Sequence, residues 1–288
     1  MISRRLVVVG AMITATACSS PATTSSSTEP PTTTTTQAAT PTTSRYHVQT
    51  VETPEGIPID IHSSGSDGLS PVALLLHGSP PSTKEDISTF AALIARETGM
   101  LVYNVGWTEG GFEGVYESVK NVACAVAYAR DTADTHGGDS SQITLIGMSA
   151  GGWSGATVAL GGKQLSTDCA SDSRPLPDKF VGIGGAYSAA VDGPVAGMLA
   201  SDPEALRASD PYTYLGNNPT LRLWLVHGDA DEAVPLSVSQ EFQDSLVENG
   251  YQVELVVLKD AGHPGDDELS PDNEERVLEA ILSAAQSQ

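Results

Sequence analysis

Positive charge is scarce in this 288-residue chain. Lys and Arg number 14 against 36 Asp and Glu, for a formal net charge of −22. A surface of that sign repels a phosphate backbone, which argues against nucleic acid as a partner. Cysteine is scarcer still, at three residues. His, Cys, Asp and Glu do not fall at the spacing of a metal site, so no metal is expected. A dinucleotide or phosphate loop is missing as well. The one glycine-rich candidate, "GGFEG" (Gly110–Gly114), lacks the strand-to-helix phasing such a loop needs, and no cofactor is expected. The apolar run Leu6–Ile13 is too short to cross a bilayer as a mature helix. No internal repeat is evident.

What the first residues do contain is the pattern of an export signal. Ser3-Arg4-Arg5 is a short basic region, Leu6–Ile13 is apolar, and Thr14-Ala15-Thr16-Ala17 supplies small residues before Cys18. Residues 1–17 are therefore expected to be a signal peptide. The Ala-Thr-Ala-Cys end resembles a bacterial lipobox, which implies that Cys18 carries a lipid. Ala15 stands where that pattern usually has Leu, and ordinary cleavage with release of a free secreted protein is the alternative. From Ser19 to Ser44, 21 of 26 residues are Ser, Thr or Pro. Such a stretch has too little apolar surface to offset its ordering entropy, so residues 18–44 read as a lipidated cysteine and a disordered tether. The expected location is the outer side of the cell envelope, with the lipid as the only membrane contact. Cys124 and Cys169 then remain as an even pair in an oxidising compartment, either bridged or separately buried.

From residue 45 to 288 the composition becomes that of one folded domain. "YHVQTVET" and "IPIDIHSS" flank Pro54-Glu55-Gly56 and read as a hairpin. "SPVALLLHG", "GMLVYNVGW", "ITLIGMS", "FVGIGGAY", "LRLWLVHGD" and "YQVELVVLKDAGH" are apolar runs of the kind buried on both faces of a sheet. Helical spacing lies between them. Ile87, Phe90, Ala91 and Ile94 share one face of 84–99, and Val115, Val119, Val122, Ala123, Val126 and Ala127 share another of 115–138. Helices are also expected over 151–161, 234–250 and 270–288. An antiparallel entry followed by strand–helix alternation predicts an α/β fold with a mostly parallel central sheet of about eight strands. Helices should cover both faces, and the site should lie at the strand C-termini.

One strand leads into Gly147-Met148-Ser149-Ala150-Gly151, the G-x-S-x-G arrangement of a nucleophile elbow. Small flanking residues are needed there because the serine backbone turns sharply and Oγ must project free of its own chain. A serine nucleophile needs a base, and His263 lies in a Gly-rich loop just past the last predicted strand. The base needs an acid to hold its tautomer, and "LVHGDADEAVP" offers Asp229, Asp231 and Glu232 just after another strand. "LLLHGSPPS" ends a third strand. Pro80 and Pro81 have no N–H, which leaves Gly78 and Ser79 to meet the Ala150 N–H around an oxyanion.

On "HG" after the third strand, "GGDSSQITLIGMSAGG", "VHGDADEAVP" and the late "AGH", the chain from about residue 45 onward resembles the α/β-hydrolase-fold serine hydrolases. It resembles small bacterial carboxylesterases and dienelactone-hydrolase-like enzymes in particular. The resemblance implies Ser149 as nucleophile, His263 as base, Asp231 as acid, and Ser79 with Ala150 as oxyanion donors, Asp229 shaping the loop. It implies cleavage of a small-molecule or polysaccharide carboxylic ester, and the lack of a long lid-like insertion points to short or medium acyl chains or acetylated substrates. Two departures stand out: His77-Gly78-Ser79-Pro80 replaces the HGGG of one esterase subgroup, and Met148 replaces a His or Asp frequent in relatives. A prolyl-oligopeptidase-like peptidase or amidase and a catalytically silent surface-binding lipoprotein are the competing expectations. His77 and His227 are expected to support loops, Trp153 to pack in the core, and Trp107 with its following loop to lie near substrate.

Overall fold

The two hairpin segments and the six apolar runs become the strands β1 (His47–Glu52), β2 (Pro58–Ser63), β3 (Ser70–Leu76), β4 (Leu101–Val105), β5 (Gly138–Met148), β6 (Lys179–Ile183), β7 (Arg222–Gly228) and β8 (Gln252–Leu258). They form one sheet in the spatial order β1-β2-β4-β3-β5-β6-β7-β8. The β1–β2 and β2–β4 pairs are antiparallel and every later pair is parallel, as the hairpin entry and the strand–helix alternation require. This computed structural model describes residues 46–65, 68–107, 115–161, 164–165, 169–187, 203–265 and 269–287. The expected leader, Cys18 and the tether lie outside those residues, as do the loop 108–114 and the segment 188–202.

Among the described residues six helices alternate with the strands: α1 (Ser88–Thr98), α2 (Val115–Thr132), α3 (Ala150–Gly161), α4 (Pro203–Ser209), α5 (Leu236–Glu248) and α6 (Pro271–Gln286). Successive residues of a strand face opposite sides, so a strand covered on both faces must be apolar at every position. In β3, Leu74 and Leu76 enter one core cluster and Ala73 and Leu75 the other, all fully buried. The first cluster takes side chains from α2, α3 and α5, the second from α1 and α6. The periodic face of α1 is confirmed at Ile87, Ala91 and Ile94, with Phe90 half-buried against it. Each fully buried Leu, Ile or Val of these layers contributes roughly 1.5–3 kcal/mol of transfer free energy. Helix α3 is buried all around, which explains its lack of an amphipathic stripe.

Some boundaries differ from the sequence reading. Strand β5 starts at Gly138 rather than Ile143, and its register against β3 shifts between Pro71 and Val72. The start is polar, held by Asp139 accepting from the Ser141 N–H and hydroxyl, so no apolar run announces it. A short 3₁₀ turn, Ala133–His136, follows α2 where a continuous helix was expected, and Gly137 ends it in the left-handed region. Helix α1 begins at Ser88, four residues later than expected. The lead-in is fixed by the buried Lys84, whose ammonium reaches Asp60 of β2 at 2.7 Å. Cys124 of α2 and Cys169 are joined as a disulfide.

Candidate active site

At the C-terminal end of β5 the chain reverses into α3 through Ser149, whose φ is +52°. That region is costly for a residue with a Cβ and persists only where the surroundings fix it. Here the Ser149 N–H donates to the Ile183 carbonyl at 3.0 Å, and the Ser149 carbonyl accepts from Gly152 at 2.9 Å and Trp153 at 3.2 Å. The flanking glycines are sterically required. A Cβ on Gly147 would sit 2.2 Å from the Gly151 carbonyl oxygen, and one on Gly151 would sit 2.4 Å from the His77 carbonyl oxygen. The serine therefore projects from a turn that larger neighbours would not permit.

Two other loops converge on Ser149. The loop after β7 carries Asp231 and the loop after β8 carries His263, and backbone bonds fasten them together. Asp229 donates to the Leu258 carbonyl, Ala230 donates to the Ala261 carbonyl, and the Asp260 N–H donates to the Asp229 carboxylate at 2.6 Å. Asp229 thus shapes the loop pair, as expected, while Asp231 points inward.

His263 Nδ1 lies 2.8 Å from Asp231 Oδ2, and His263 Nε2 lies 2.8 Å from Ser149 Oγ. A carboxylate only accepts, so the ring proton is on Nδ1, and Nε2 is left with a lone pair to accept the serine hydroxyl. The Asp231 side chain is fully buried but has a partner for each lone-pair direction. Oδ1 accepts from the Ala233 and Val234 N–H groups at 3.0 and 2.8 Å. Oδ2 faces His263 and, at 3.3 Å, His227 Nε2.

That last contact was not anticipated. His227 does support the loop, as expected, with Nε2 2.8 Å from the Val234 carbonyl and Nδ1 2.6 Å from Ser239 Oγ. Both neighbours of Nε2 are acceptors, so Nε2 carries the proton and Nδ1 accepts from the serine. Burial pushes the His227 pKa down, which keeps the ring neutral. The sequence signal was the four-residue step from His227 to Asp231, but only a folded-back loop turns that step into contact.

Ser79, expected as an oxyanion donor with Ala150, lines the cleft that holds Ser149. Ala150 is the first residue of α3, where a backbone N–H has no carbonyl one turn back. Gly78 abuts the nucleophile so closely that a Cβ there would be 3.4 Å from Ser149 Cβ. Gly78, Ser79, Ser149 and His263 all line one cleft of about 480 Å³. Trp107 stands next to the cleft but does not line it, and its following loop lies outside the described residues. Trp107 is buried, its Nε1–H donates to the His77 carbonyl at 3.2 Å, and its ring packs beside His77 at 5.5 Å, so it braces the loop before Gly78. Trp153 is core, as expected. Among the described residues no group of three His, Cys, Asp or Glu side chains is arranged to hold a metal ion.

Comparison with known proteins follows the same outline. The prolyl oligopeptidase family matches residues 117–284, more than half of the chain. The chain belongs to the prolyl oligopeptidase family. Among curated proteins none matches significantly. A carboxyl esterase from the mycorrhizal fungus Tuber melanosporum superposes with a TM-score of 0.69 at 16% identity, covering 85% of this chain and 90% of its own. A bacterial heroin esterase gives 0.68 at 20%, covering 84% of both. A thermophilic esterase from Thermogutta terrifontis, solved with propionate bound, gives 0.65 at 16%, covering 86% and 98%. At these identities the shared property is the α/β-hydrolase fold, which this member of the prolyl oligopeptidase family has.

Proposed function

We propose that the chain is a serine hydrolase of carboxylic esters, acting through Ser149, His263 and Asp231. The carrying observation is the unbroken line from Ser149 Oγ to His263 to Asp231, with both contacts at 2.8 Å. In the forward step His263 Nε2 takes the hydroxyl proton as Ser149 Oγ attacks the ester carbonyl. Charge moves to the carbonyl oxygen, where the N–H groups of Ser79 and Ala150 and the N-terminus of α3 stabilise it. His263 then protonates the departing alcohol, leaving an acyl-Ser149 ester. Water, deprotonated by His263, reverses the sequence and releases the acid. Asp231 stays ionised, holds the Nδ1–H tautomer and stabilises the imidazolium. The structural neighbours named as esterases support ester over amide substrates.

Family membership favours a second reading, a peptidase or amidase acting through the same three residues. Both predict loss of activity in Ser149→Ala; they differ in substrate. Purified protein is expected to hydrolyse p-nitrophenyl acetate or butyrate and to leave a proline p-nitroanilide peptide intact. The opposite selectivity would establish the peptidase reading. Wild-type activity persisting in a folded Ser149→Ala protein would overturn both.

For location, the leader pattern supports export and anchorage through a lipidated Cys18, with residues 19–44 as spacer. A Cys18→Ser protein is expected to leave the membrane fraction, and its retention there would contradict the anchor.

A further inference from the structure

A second cavity, of about 560 Å³, lies beside the Ser149 cleft. The two share Asp86, Ile87, Met148, Pro264 and Gly265 as wall residues, so they adjoin beside the nucleophile. The volume falls within the range of about 300–1,000 Å³ typical of small-molecule pockets. Its depth is apolar: Phe90 and Leu93 of α1 face Ile183, Val226 and Leu258 at the ends of β6, β7 and β8.

Which part of an ester it accepts follows from where the reacting atoms must sit. Gly78 and Ser79 line the cleft but not the second cavity; of the neighbours of His263, Gly262 lines the second cavity and not the cleft, and Pro264 and Gly265 line both. The carbonyl oxygen belongs beside Ser79 and Ala150. The alcohol oxygen must lie against His263 Nε2 to receive its proton. The arm leading away from that oxygen therefore enters the space bounded by the His263 loop. We infer that the second cavity is the alcohol subsite of the ester, built for an uncharged apolar alcohol and entered past Met148. The inference rests on the ester-hydrolase reading.

The unusual Met148 acquires a use here. A flexible thioether at the mouth can move aside for chains of different shape, which a His or Asp could do only with a buried polar group. Exposed Asp86 and Glu274 line the same cavity. Two carboxylates at its edge disfavour an alcohol arm ending in an anion.

Two ester series test this. The first holds the acyl group at acetate and lengthens the alcohol from methyl to hexyl; the second holds the alcohol at methyl and lengthens the acid. Burial of a methylene changes kcat/KM by about fourfold, so the alcohol series should climb by about that step per carbon until the cavity is filled. The acyl series should stay nearly flat. Leu93→Trp, which fills the cavity from α1, should lower the ratio of hexyl to methyl acetate at least tenfold, and Thr89→Phe is a second variant from an exposed helix position. The acetate ester of 6-hydroxyhexanoate should be cleaved at least tenfold more slowly than hexyl acetate. A flat alcohol series in an active enzyme, or a climb confined to the acyl series, would overturn the assignment while leaving the ester reading intact. Inactivity toward every ester would remove both.

Discussion

The buried carboxylate of Asp231 shows how much a single residue here depends on its partners. Two backbone N–H groups hold one oxygen and two imidazoles face the other. Asp231→Asn would preserve the shape and most of these contacts but would offer His263 Nδ1 an N–H instead of an acceptor. The ring would then favour the wrong tautomer, and kcat is expected to fall about 10⁴-fold with little change in fold, measured on a p-nitrophenyl ester. His227 sets a different condition. Burial lowers its pKa, and burial likewise lowers those of His62, His77 and His136. A depressed histidine pKa means that the unfolded chain binds more protons than the folded one below about pH 6.5, so stability rises with pH across that window. The contribution is complete above pH 6.5 and is lost as pH falls toward the folded-state values. Thermal unfolding should therefore show Tm dropping between pH 7.5 and 5. His227→Gln should be less stable at pH 7.5 but lose less on acidification, and an unchanged pH slope would contradict the neutral buried ring.

At the scale of elements, the elbow depends on how closely β5, α3 and the loop after β3 can approach. The Gly151 position meets the His77 carbonyl, a backbone atom that cannot swing away. Gly151→Ala is expected to cost about 2–4 kcal/mol, in the range of overpacking and strain at a fixed turn, and to displace Ser149, so denaturant stability and kcat should fall together. Normal stability with normal activity would mean that the elbow yields more easily than its contacts imply. The same element shows what sequence could and could not convey. Central strands were legible because burial on both faces demands runs such as Val72–Leu76, and the elbow was legible because its glycines are dictated by backbone sterics. The polar start of β5 was not, because its Asp139–Ser141 bonds leave no apolar run, and the stretch from α4 to Tyr214 was not, because bonds from side chains to its backbone carbonyls hold it. Thr157 Oγ1 donates to the Ser209 carbonyl and the Tyr214 hydroxyl donates to the Ala208 carbonyl. Nothing periodic in the sequence records those pairs. Trp107 shows a related limit: its proximity to the strand ends was readable, but its burial against His77 depends on how the loops stack.

Across the whole molecule the disulfide links distant parts of the chain without entering the site. Cys124 belongs to the core cluster formed with α2 and α3, Cys169 packs against it, and neither lines the Ser149 cleft. The bridge spans a sequence separation of 45. In the chain-entropy account, a loop of that size restricts the unfolded ensemble by about 4 kcal/mol. For a domain of this length, 1 kcal/mol corresponds to a Tm change of roughly 2–4 °C, so removing the bridge should lower Tm by roughly 8–16 °C. Because the constraint acts on the unfolded chain, kcat at 25 °C should be nearly unaffected. The comparison is wild type under oxidising conditions against the Cys124→Ser, Cys169→Ser double variant, followed by differential scanning calorimetry and ester hydrolysis. Equal Tm values would show that the unfolded chain gains little freedom when the bridge is absent. A large loss of kcat with an unchanged Tm would instead require a mechanical path from α2 to Ser149, which the buried packing of α2 against α3 would then have to supply.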